Sequence, residues 1–175
     1  MLLDKDNFMS DTSGPTGGIR QFIFRASAIS KEKMRKESSV DIMSTAGQVM
    51  LSYEIACDES HILGGDDSAP PPLAYFTSAI AFCLMTQISR YAHMRKLQID
   101  DLQMKTTVHY RNEGSVLQGT VQGYVDKIES TIEIASAESD ETLEKLVKDA
   151  ERGCYVHYAL THPIEVSNHI IHTQI

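Results

Sequence analysis

The sequence predicts one α+β domain, with antiparallel sheets packed around a long central helix. Two stretches alternate apolar and polar residues with the period of a strand, around Val49–Cys57 and Leu102–Tyr110. Between them, Leu73 to about Lys96 carries apolar residues at helical spacing without a glycine or proline. Apolar residues make up 42% of the 175 and charged ones 23%, a globular balance rather than a disordered one.

Residues 1–18, rich in Ser, Asp, Thr, Gly and Pro, read as a flexible tail, and 19–175 as the domain. The tail lacks a basic segment leading into an apolar run, so no signal peptide is expected. From Ile19 to Ile29, Phe22, Phe24, Ala26 and Ala28 alternate with Ile23, Arg25 and Ser27, which predicts the first strand. A charged turn over Lys31–Glu37 leads to a second strand around Val40–Ser44. In the third, Val49, Leu51, Tyr53, Ile55 and Cys57 share one face, which assigns Cys57 to the core. Gly64-Gly65 and Pro70-Pro71-Pro72 then stop strand structure, and proline suits the first turn of a following helix.

Apolar residues cover most of the circumference of the long helix, so it is expected to be buried on all sides. One sheet cannot supply that cover, but a second copy of the chain can, and a homodimer is expected. Strands follow at 102–110, 116–125 and 128–135. An amphipathic helix spans Asp140–Arg152, capped by Ser139 or Asp140, and Gly153 breaks it. A short helix over Cys154–Thr161 and a last strand over Pro163–Ile171 complete the order.

Lys and Arg number 16 against 24 Asp and Glu, a formal charge of −8. An acidic chain offers no broad phosphate-binding surface, so nucleic acid is not expected as a partner, nor is an anionic membrane. No uninterrupted apolar stretch of membrane-spanning length is apparent, and a cytoplasmic protein is expected. Three cysteines in a reducing compartment do not make a structural disulfide framework. Cys83, mid-helix, reads as core packing or as a thiol that needs a cation from another segment. Cys154 opens a short helix, where free backbone N–H groups favour a thiolate, or else it fills a junction. Cys154 and His157 could share a helix face, yet zinc needs three or four ligands, so no metal is expected and no cofactor.

The run Leu63-Gly64-Gly65-Asp66, then Pro70-Pro71-Pro72, then a helix with Cys83, resembles the osmotically inducible protein C and organic hydroperoxide resistance (OsmC/Ohr) family. Asp149-Ala150-Glu151-Arg152-Gly153-Cys154-Tyr155-Val156 is similar to its second-cysteine segment, and the likeness spans about residues 19–171. The resemblance implies an intertwined homodimer and a thiol peroxidase for organic hydroperoxides. Cys83 would attack the peroxide, Cys154 would resolve the product as a disulfide, and an external dithiol would reduce it. Leu73 stands where the family's peroxidases carry a glutamate, and Tyr155 where a proline follows the second cysteine. Arg25 and Arg35 are candidates for the family's arginine, and Glu54, Glu59 and Asp67 for the missing carboxylate. A dimer binding a small hydrophobic ligand, and a thiol redox sensor, stand as alternatives.

Overall fold

The computed structural model describes residues 21–174, so the expected tail and the start of the first strand lie outside the described residues. The chain divides between Pro71 and Pro72 into two compact units. The first is an antiparallel meander of β1 (Ile23–Ser30), β2 (Lys36–Met43) and β3 (Val49–Cys57). β2 begins earlier than the sequence predicts, because its polar half, Lys36–Ser39, pairs fully with both neighbours despite lacking alternation. Cys57 ends β3 half-buried rather than in a core. Tyr53 is 53% exposed, so the expected apolar face of β3 is uncovered within this unit.

Beyond β3 the chain is pinned by Asp58, which is 1% exposed. Its carboxylate accepts from the Ser68 hydroxyl at 2.7 Å and from the backbone N–H groups of Glu59, Ser68 and Asp66 at 2.8, 3.1 and 3.2 Å. The Ser68 hydroxyl, aided by those N–H groups, holds the carboxyl far below its usual range against the effect of burial. Gly65 is obligatory here: a Cβ would lie 1.9 Å from the Glu59 carbonyl oxygen.

The second unit holds α1 (Pro72–Arg95), β4 (Asp101–Glu113), β5 (Gln122–Ala135), α2 (Asp140–Arg152) and α3 (Tyr155–Thr161). Proline occupies the first position of α1, where its missing N–H costs nothing. The helix ends as Lys96 turns left-handed (φ 58), with Leu97 N–H bonded to the Ala92 carbonyl at 2.9 Å. By length and composition α1 would pass for a membrane span, with a mean hydropathy of 1.3, contrary to the sequence expectation. It packs instead against β4, α2 and α3. Only one stripe is buried, Ile80, Leu84, Gln87, Ile88 and Ala92, while Phe82 is 67% exposed. The expected burial on all sides is therefore not met within the chain, because one hairpin and two helices cover one face.

Two strands stand where three were expected. β5 runs unbroken through Asp126-Lys127, which the sequence suggests as a turn. His109 pairs with Lys127 and Tyr110 with Val125, leaving Asp126 as the extra residue of a bulge. The bulge shifts the apolar phase between Val125 and Ile128 and so mimics a strand break. Val116 and Leu117 lie in the hairpin connection, 81% and 99% exposed. Below the bulge, Leu102 faces Ile134 and Met104 faces Ile132 on the side turned to the helices. Ser139 caps α2, its Oγ accepting from Thr142 N–H at 3.3 Å. Residues 163–171 form no strand, and Ile164, Val166, Ile170 and Ile171 stay exposed.

Candidate functional site

The core of the second unit joins Leu84, Ile88 and Ala92 of α1 to Leu146 and Ala150 of α2 and to Cys154. Burying Ile88 and Leu146 completely contributes about 1.5–3 kcal/mol each. Cys83 is half-buried against this cluster, and Cys154 within it is 1% exposed. The two residues, remote in sequence, come together because the α2–α3 junction packs against α1 between Cys83 and Tyr91. The Cys83 side chain lies near enough to raise the pKa of the Cys154 thiol.

Gly153 is what permits that approach. A Cβ on it would fall 2.0 Å from the Tyr91 hydroxyl and 2.9 Å from the ring carbon that bears it. Its φ of −90° suits any residue, so the need for glycine is steric. Cys154 is the N-cap of α3, and its Sγ accepts from the His157 N–H at 3.5 Å. The sequence places Cys154 at a helix opening, where N–H groups favour a thiolate; the structure shows burial outweighing them. Burial pushes the Cys154 thiol above its ordinary range, the His157 N–H opposes this, and the Cys83 side chain adds to the rise. With the thiol pKa raised on folding, the stability is fully present below the unfolded-chain value, about 8.5, and is lost as pH rises from there through the folded one.

Cys154 also lines a cleft of about 660 Å³, whose apolar wall includes Phe76, Ile80, Leu84, Ile128, Ile132 and Leu160. Asp126, Lys127, Glu151 and His157 supply its charged and polar rim. Lys127 pairs with Glu129 at 2.5 Å. An adjoining cleft of about 420 Å³ contains Leu73, at the position of the family glutamate, beside Arg111 and Tyr124. Arg111 stacks on Tyr124 at 4.1 Å and pairs with Asp126 at 2.9 Å and with Glu113, so its charge is already met.

The other candidates belong to the first unit. Arg25 pairs with Asp41 at 2.7 Å, and Arg35 with Glu37 at 3.2 Å and with the Ser68 hydroxyl at 2.8 Å. Glu54 lies on β3, and Glu59 and Asp67 flank the Asp58 turn. His157 meets Cys154 through its backbone, and among the described residues no group of three metal-ligating side chains occurs.

Sequence reasoning missed Gln87, buried on the inner stripe of α1, and Tyr91, whose hydroxyl abuts Gly153. The available signal was Gln87 itself, a lone amide on an otherwise apolar stripe one turn after Cys83.

A search of curated proteins finds no match. Among solved structures, an OsmC-like hydroperoxide resistance protein from Jannaschia sp. CCS1 is 25% identical, with a TM-score of 0.53 over 84% of this chain and 91% of that one. An OsmC-like protein from Mycoplasma pneumoniae, 20% identical, shares the fold at a TM-score of 0.53, over 79% and 86% of the two chains. The family model described as OsmC-like protein matches residues 65–168, more than half of the chain and the whole segment from Gly65 through both cysteines. On that match, joined to an α+β fold in which Cys83 and Cys154 share one cluster, the chain belongs to the OsmC-like family.

Proposed function

We propose that this protein is a thiol-dependent peroxidase for organic hydroperoxides, with Cys83 as the attacking thiol and Cys154 as the resolving one. The observation that carries the reading is the packing of Cys83 against the buried cluster that contains Cys154. The apolar cleft at Cys154 suits the organic tail of a hydroperoxide better than hydrogen peroxide alone. The name of the Jannaschia relative, a hydroperoxide resistance protein, points the same way.

In this reading the Cys83 thiolate attacks the peroxide, Cys154 closes the disulfide with loss of water, and an external dithiol restores both thiols. No cofactor enters. On the rim of the cleft stand His157 and Lys127, the latter paired with Glu129. A reducing cytoplasm would keep the three free cysteines in the thiol state. The active form is a homodimer, the second copy covering the apolar residues of α1 that one chain leaves exposed.

Purified protein with dihydrolipoamide is expected to consume cumene hydroperoxide, and Cys83→Ser to abolish turnover. Unchanged turnover in that variant contradicts the assignment. Leu73 in place of a carboxylate favours one other reading, a dimer that binds a small hydrophobic ligand in the same cleft. That reading predicts no turnover and a co-purified ligand visible by native mass spectrometry.

A further inference from the structure

The buried stripe of α1 contains one polar residue among aliphatic ones. Gln87 is 7% exposed, and its Oε1 is buried without a hydrogen-bond partner among the described residues. An orphaned amide oxygen costs stability that an apolar residue of the same shape would not. Its position suggests what it gains. Gln87 follows Cys83 by four residues, so the two are neighbours on one helix face. Long side chains on a helix lean towards its N-terminus, which carries the Gln87 amide towards Cys83. α1 meets the α2–α3 junction on both sides of it: Cys83 packs against the cluster that holds Cys154, and the Tyr91 hydroxyl abuts Gly153. Gln87 lies midway, one turn from each.

A thiol offers such an oxygen only a weak donor, whereas a sulfenic acid offers an O–H. We propose that Gln87 Oε1 accepts a hydrogen bond from the sulfenic hydroxyl formed on Cys83 and so orients it for resolution by Cys154; the role rests on the peroxidase reading. In the first step the Cys83 thiolate attacks the terminal peroxide oxygen. The S–O bond forms, the O–O bond breaks, and the alkoxide leaves as an alcohol after taking a proton. Sulfur is oxidised by two electrons as the peroxide is reduced, and the sulfenic oxygen keeps the proton it had in the hydroperoxide. In the second step Cys154 sulfur attacks Cys83 sulfur. The S–S bond forms, the S–O bond breaks, and hydroxide departs as water with the proton from the Cys154 thiol. Attack needs the S–O bond held in one direction, and a fixed acceptor for the hydroxyl provides that.

Gln87→Met keeps the length of the side chain and removes the acceptor. Reduced wild-type and variant protein, rapidly mixed with one equivalent of cumene hydroperoxide, are followed by peroxide loss and by quenched non-reducing mass spectrometry. The expected result is a first step within about twofold of wild type and disulfide closure slowed about tenfold, an effect on the second barrier alone. Sulfinic acid at Cys83 rises under excess peroxide, and the reduced variant melts no lower than wild type. Ile88→Val, a packing change on the same stripe, leaves the ratio of disulfide to sulfinic acid unchanged. Wild-type closure rates in Gln87→Met, or slowing confined to the first step, overturn the role. A wild-type protein that forms no sulfenic acid at Cys83 overturns the peroxidase reading itself.

Discussion

At Gly153 a single hydrogen in place of a methyl group decides whether α1 can lie against the residue that precedes Cys154. Gly153→Ala is expected to destabilise the protein by about 1–3 kcal/mol, the usual cost of overpacking, as measured by thermal denaturation of the reduced form. Tyr91→Phe in the same chain removes the nearest colliding atom and is expected to restore part of the loss; the ring carbon at 2.9 Å keeps the rescue incomplete. The sequence showed both cysteines, and showed Cys154 following a helix-breaking glycine. It could not show the reason for that glycine, because the reason is a tyrosine hydroxyl some sixty positions earlier. The same limit hid Gln87: composition marks it as a polar residue on an apolar stripe, but only packing shows its oxygen left unpaired.

Among the elements, those governed by local chemistry were legible. Proline opens α1, Ser139 caps α2 and Cys154 caps α3, each where the sequence indicates. The errors fell where pairing overrides pattern. A one-residue bulge at Asp126 imitates a turn, and the polar half of β2 carries no alternation yet pairs along its length. The Asp58 turn is an element of the same kind, a carboxylate that substitutes for regular structure by gathering three N–H groups and a hydroxyl. Because its pKa is depressed on folding, its stabilisation is complete above the unfolded-chain value, near ~3.9, and is lost as pH falls below it. Chemical denaturation from pH 6 down to pH 2 is expected to show a shallower loss of stability in Asp58→Asn than in wild type. An equally steep loss would remove Asp58 from the acid response.

For the whole molecule, the amount of apolar surface left in water is the dominant fact. Phe24, Tyr53 and Ile55 in the first unit, and Leu73, Phe76 and Phe82 in the second, are all 40% exposed or more. Taken by itself, the three-stranded sheet of the first unit lacks the second layer that a stable domain needs. The sequence anticipated this shortage from the all-round apolar helix, because counting apolar positions reveals how much cover is needed, though not which surface gives it. Light scattering on the eluting protein is expected to give twice the chain mass at micromolar concentration. A monomer that stays folded on dilution would contradict the second copy as the cover. The chemistry depends on a narrower point, that the sulfurs of Cys83 and Cys154 stand close enough to bond. One equivalent of cumene hydroperoxide added to the reduced protein, followed by peptide mapping without reductant, tests it directly. The account predicts a disulfide joining Cys83 to Cys154 within one chain. Cys83 held as sulfenic acid with Cys154 left as a free thiol would contradict it.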